Sequence, residues 1–207
     1  MAAKSELRYI DSHSHVWTPE VTSFPAANGV KVGDHDAGWT VESWTGERLL
    51  QAAAPSGVGR VVLISHGMIY GYDNTYMLDC TRQHPGKFRI VGAIDDRHPP
   101  GEVAATMRSL LQQGVTGFRL SPGELGKPFG RTRDDWLSTE GMQTMWKTAA
   151  ETRQAMCGLV NVGAALDAFE RMVAAYPETV AVIDHFSRIG VEGSAPEQSI
   201  ERLCELA

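Results

Sequence analysis

Along nearly the whole chain, short apolar runs rich in β-branched residues alternate with longer segments whose apolar positions recur at helical spacing. The runs are "RYIDSH" (8–13), "RVVLIS" (60–65), "FRIVGAID" (88–95), "GVTGFRL" (114–120), "MCGLVNV" (156–162) and "TVAVIDH" (179–185). Most lack the polar alternation of a half-exposed strand, which suits parallel strands covered on both faces. Between them, "TGERLLQAAAPSG" closes on Pro and Gly, and "DNTYMLDCTRQHPG" opens on Asp73 as N-cap and closes on Pro-Gly. "GEVAATMRSLLQQG" carries helical spacing up to Gly114, and "STEGMQTMWKTAAETR" opens with a capping box. "ALDAFERMVAAYPE" and "APEQSIERLCELA" read as the last two helices. A βα unit repeated six times predicts a parallel sheet with right-handed crossovers.

Two inserts, 18–44 and 121–137, interrupt this rhythm after the first and fourth strands. In a β/α barrel the long βα loops lie at the C-terminal face, where active sites are built. An open doubly wound sheet is the alternative. No G-x-G-x-x-G or phosphate loop follows the first strand, which removes the usual reason to expect nucleotide binding.

Composition narrows the class. The 207 residues are 43% apolar and 21% charged, with no compositional break, so one domain over 1–207 is expected. A net charge of -6 without a Lys/Arg cluster argues against a nucleic-acid partner. "MAAKSELRYI" holds no apolar core of signal-peptide length, and no run is long enough to span a bilayer. Cys80, Cys157 and Cys204 share no metal-type spacing, so a reducing, cytoplasmic home is expected.

The strand ends carry the chemistry. Asp11, His13 and His15 alternate, so an extended backbone puts all three on one face. The second strand ends in His66, the fourth in Arg119, and the sixth in Asp184 and His185. Parallel strands gather these ends at one mouth. Converging imidazoles suit a divalent metal such as zinc or manganese, which lowers the pKa of bound water toward ~7. Arg119 suits a substrate anion, or equally an ion pair with a neighbouring Asp. Tyr70, Tyr72 and Asn74 suit either the mouth or a turn into a helix N-cap. Trp17, Trp39 and Trp44 suit an apolar wall or a seal. His84 favours a helix dipole, His35 and His98 read as loop residues, and Arg131 and Arg133 as solvated charges.

"DSHSHVW" resembles the D-x-H-x-H-x-W opening of the amidohydrolase superfamily, in its amidohydrolase-related branch of lactonases and similar hydrolases. "DNTYMLDCTRQHPGKFRIVGAIDD", "GVTGFRL" and "VIDHFSRIG" are similar to later blocks of that branch, in order. Members of the branch resemble 2-pyrone-4,6-dicarboxylate lactonase and sugar lactonases. The resemblance implies a (β/α)8 TIM barrel, with His13, His15 and His185 as metal ligands. Where a member works without metal, it implies that His185 helps polarise the substrate. It also implies that Asp11 orients an imidazole, that His185 and Asp11 are the catalytic pair, and that Arg119 holds a substrate carboxylate or carbonyl. From their own positions His66, as a substrate contact or a plain polar strand end, and Tyr72, at the mouth, are the further candidates for substrate binding.

"MCGLVNV" offers neither the Lys nor the His of binuclear members, so one metal or none is expected. Eight βα units need ~250 residues, so the expectation is a barrel truncated after its sixth unit. The eighth-strand aspartate, which the family uses as ligand and base, is then missing. The expected activity is opening of a lactone or similar cyclic ester, on a small anionic or cyclic substrate. Its rivals are non-oxidative decarboxylation in the same fold, and an inactive fragment that pairs its open edges with another copy as a homo-oligomer.

Overall fold

Each apolar run becomes a strand and each periodic segment a helix. The computed structural model describes residues 8–27, 31–32, 40–121, 136–191, 193 and 196–206. His35, Trp39, Arg131 and Arg133, with much of both inserts, lie outside the described residues. In chain order the elements begin with β1 (Tyr9–Ser14), β2 (Lys31–Val32), β3 (Thr40–Val41), α1 (Gly46–Ala53), β4 (Val58–Ile64), α2 (Gly67–Tyr70), α3 (Thr75–Gln83) and β5 (Phe88–Gly92). They continue with α4 (Pro100–Gln113), β6 (Val115–Leu120), α5 (Glu140–Thr152), β7 (Ala155–Gly158), α6 (Ala164–Ala175), β8 (Ala181–Ile183) and α7 (Glu197–Cys204). The main sheet is six-stranded and parallel, in the order β1-β4-β5-β6-β7-β8, and β2 and β3 form a separate parallel pair. This is the α/β architecture of a β/α barrel, with sequential strands as neighbours.

The chain divides into two compact units, one of Met1–Ala93 with Gln112–Thr116, the other of Ile94–Leu111 with Gly117–Ala207. In the first, β4 sets its register against β1 through Ile10↔Arg60 and Asp11↔Val61, and against β5 through Leu63↔Ile90. Val61, Leu63, Phe88 and Ile90 are buried at its centre, with Leu49 from α1 and Met77 from α3 over them. The β1 register slips between Asp11 and Ser14. Such an irregularity bends a strand and re-aims its side chains. α3 starts at Thr75, one residue later than Asp73 as N-cap requires. Asp73 still accepts the Thr75 N–H at 2.8 Å. Asn74, at the cap position, instead turns its amide inward to the backbone of Ala93.

In the second unit, β6 pairs with β7 through Phe118↔Met156 and Arg119↔Cys157, and β7 with β8 through Cys157↔Val182. Phe118, Met145, Trp146, Met156, Leu166 and Phe169 fill the core. Of the expected capping box only the N-cap half forms, because the third helical position is Met142 and has no carboxylate to return the bond: Thr139 accepts the Met142 N–H and donates its hydroxyl to Asp96. β7 and β8 are shorter than their apolar runs predict. β7 ends at Gly158, where a Cβ would meet Phe169 at 2.6 Å. β8 ends at Ile183 because His185, Phe186, Ser187 and Arg188 all take positive φ.

Candidate functional site

In the first unit the side chains at the ends of β1 and β4 are histidines in contact. The rings of His13 and His15 lie 5.0 Å apart, as expected for i and i+2 positions sharing a strand face. His15 packs edge-on against His66 at 4.8 Å, and Trp17 adjoins His66 at 5.7 Å. His15 Nδ1 lies 2.8 Å from the Ile64 carbonyl oxygen. A carbonyl only accepts, so Nδ1 carries the proton and the neutral ring presents the lone pair of Nε2. A backbone carbonyl holding one imidazole nitrogen is the usual way a metal-ligating histidine is oriented.

Asp11 does a different job from the imidazole-orienting one that the resemblance implies. Its Oδ1 accepts the backbone N–H of His13 at 3.0 Å and its Oδ2 the Ser14 hydroxyl at 2.5 Å. The carboxylate therefore pins the backbone where the β1 register slips, because a partly buried carboxylate takes the nearest N–H and O–H donors. The following loop is tied down by Trp17, paired with Trp44 through both backbone N–H groups and donating its indole N–H to the Glu42 carbonyl. Tyr70 accepts the Thr18 N–H at 3.1 Å, and burial pushes its phenol up to about 12. Tyr70 thus serves as a support. Tyr72 is part-exposed, and its carbonyl accepts the Asn74 amide at 3.1 Å. Asn74 is buried and spends its side chain on Ala93 and Tyr72, away from any ligand.

In the second unit, Arg119 from the end of β6 donates from Nε to Asp184 Oδ2 at 3.2 Å, an ion pair whose side chains are 10% and 5% exposed. Its Nη2 lies 3.3 Å from His185 Nε2. Burial pulls the Arg119 pKa down while the Asp184 charge opposes that pull. Behind them on β7, burial and then the Asp184 charge push the Cys157 thiol up to about 12. It therefore stays protonated at neutral pH and is no nucleophile. The sequence left Arg119 open between a substrate anion and an ion pair with a neighbouring Asp, and the structure forms the pair with Asp184. The place of Cys157 behind it gave no sign in the periodicity, since it depends on strands far apart in sequence. The one available signal was an Asp at a strand end in a sheet that also presents an Arg.

Parallel βα units with histidines, an aspartate and an arginine at their strand ends define the β/α-barrel class. An amidohydrolase family model matches residues 10–203, and the chain belongs to that family. A candidate 2-pyrone-4,6-dicarboxylic acid hydrolase from Pseudomonas putida superposes with a TM-score of 0.68 at 20% identity, over 96% of this chain and 64% of that one. A second candidate hydrolase of that name, from Acinetobacter baumannii and with citric acid bound, gives 0.64 at 18% identity, over 96% and 66%. The 5-carboxyvanillate decarboxylase of Sphingomonas paucimobilis gives 0.58 at 15% identity, over 88% and 68%. At these identities the likeness is one of fold. The chain spans just under two thirds of the length of the two hydrolase structures, 64% and 66%. No curated protein sequence gives a significant match. Among the described residues, no helix is long and apolar enough to cross a membrane.

Proposed function

We propose that this chain supplies the carbonyl-polarising part of a hydrolase that opens a lactone or similar cyclic ester. The observation that carries the reading is His15, whose Nδ1–H is fixed on the Ile64 carbonyl so that Nε2 is presented as a donor atom. We assign His13, His15 and His185, the strand-end histidines singled out in the sequence, as ligands of a single divalent cation, with Asp184, next to His185 in the chain, as a further carboxylate donor. Imidazole and carboxylate donors fit zinc or manganese. Such an ion supplies Lewis acidity toward a carbonyl oxygen and a lowered pKa for water.

Asp11 keeps the His13 backbone in place. Arg119, with His66 and Tyr72, takes the anionic and cyclic parts of a small substrate. Where no metal is used, His185 helps polarise the carbonyl by donating an N–H group. We take 1–207 as part of one barrel domain, since the family match runs through both units. We place it in the cytoplasm, with no nucleic-acid or membrane partner.

The test is ring opening of a lactone panel that includes 2-pyrone-4,6-dicarboxylate, followed by ultraviolet absorbance with and without added zinc or manganese. His13→Asn and His185→Asn should each lower turnover by roughly 10²–10⁴-fold, the range for losing a group that acts on the reacting atoms. Release of carbon dioxide from aromatic acids with no lactone opened would favour decarboxylation, the activity for which one structural neighbour is named. Turnover of neither class by the chain would leave the inactive-fragment reading.

A further inference from the structure

The second unit holds an arrangement that the proposed site does not need. The Arg119 guanidinium faces Asp184 Oδ2 at 3.2 Å and His185 Nε2 at 3.3 Å. We propose that this guanidinium occupies the donor atoms of Asp184 and His185 that a divalent cation would take, so that Arg119 and the cation compete for them. The inference rests on Asp184 and His185 belonging to the site assigned above.

The competition follows from the hydrogen-bonding inventory. A guanidinium has donors only, so the contact requires His185 Nε2 to accept and Nδ1 to carry the proton. Nε2 has one lone pair, which cannot serve an N–H and a metal ion together. The carboxylate could bridge two cations, but a divalent ion beside a buried guanidinium meets like-charge repulsion in a low-dielectric setting. Arg119 does not swing away easily, and the backbone that carries His185 is fixed. Arg119 is 10% exposed, and His185 heads a turn in which four consecutive residues hold φ between 48° and 58°. Cation binding therefore has to displace Arg119, and the displaced guanidinium becomes the donor that a substrate anion meets.

The experiment uses zinc ion alone as the probe, measured by competition with a chromophoric chelator at fixed pH. The chains compared are the native one, Arg119→Gln, Arg119→Lys and His185→Asn. Arg119→Gln should bind zinc roughly tenfold tighter, the order of one hydrogen bond to a charged group. Arg119→Lys should fall between, and His185→Asn should bind more weakly than the native chain. If Arg119→Gln binds no tighter while His185→Asn binds more weakly, the competition is overturned and the assigned site stands. If His185→Asn binds as the native chain does, zinc sits elsewhere and both fail.

Arg119→Gln leaves the buried Asp184 without its counter-charge, and such a variant can fail to fold. Nitrogen-15 spectra of the native chain then decide. His185 should show Nδ1 protonated before zinc, and zinc should abolish the protection of the Arg119 Nε–H as the His185 Nε2 signal moves. A His185 shift with the Arg119 Nε–H still protected would overturn the proposal.

Discussion

At residue 141 a glycine opens α5 against the chain that follows β5: a Cβ built there would come 1.7 Å from the Asp96 carbonyl oxygen. The obstacle is backbone, so no rotamer change relieves it. Gly141→Ala should destabilise the fold by about 3 kcal/mol, at the upper end for overpacking, read as a lowered urea midpoint. Asn74 shows the opposite economy. It donates to the Ala93 carbonyl at 2.9 Å and accepts the Ala93 N–H at 2.9 Å, closing the last backbone groups of the β5 end. Asn74→Ala would leave both buried groups unpaired, at a cost of about 2–3 kcal/mol, measurable in the same titration. Both roles are structural although both residues pack against the chain just beyond the end of β5. A polar residue near a barrel mouth is therefore no sign of catalysis by itself.

At the scale of elements, the strand ends are where ordinary backbone gives way. The slipped register of β1 is held by Asp11, and β8 breaks into left-handed residues directly after Asp184. A non-glycine residue in that region costs roughly 1–2 kcal/mol, and such outliers cluster where a side chain must be aimed. Phe186 is 79% exposed, so its ring offsets little of the cost. Phe186→Gly should therefore stabilise the chain by about 1 kcal/mol, raising the urea midpoint without changing the slope. A lowered midpoint would mean that the ring packs on something in solution. The exposed end of β1 is its start, with Tyr9 and Ile10 at 64% and 53% exposure, whereas His13 and His15 at the other end are half-buried.

For the molecule as a whole, pH links charge to stability. Arg97 grips Asp95 with two parallel hydrogen bonds, Nε to Oδ1 at 2.7 Å and Nη2 to Oδ2 at 2.6 Å, and this fork holds the Asp95 pKa below its usual range. The folded value lies below the unfolded one of about 3.9. The contribution is therefore complete above the unfolded value and is lost as pH falls through the lowered folded value. Asp95→Asn should unfold at lower urea than the native chain at neutral pH, and the gap should close in strong acid. A gap that persists there would assign the loss to packing. Tyr70 and Cys157, both pushed up to about 12 by burial, add nothing to this acid limb.

Six strands, their parallel pairing and the helices between them were determined by the sequence alone, because apolar runs and helical spacing report burial directly. The alternation of Asp11, His13 and His15 likewise showed that these side chains share a face, since the two-residue period of a strand is local geometry. Which partner each side chain bonds there was decided only by tertiary structure. Which carbonyl fixes His15 and that Arg119 meets Asp184 depend on residues 49 and 65 positions apart in the chain. Partners at that separation leave no mark on local periodicity. The left-handed turn after β8 was illegible for a related reason: "HFSR" contains no glycine, and only the packed surroundings can hold four such residues in that conformation.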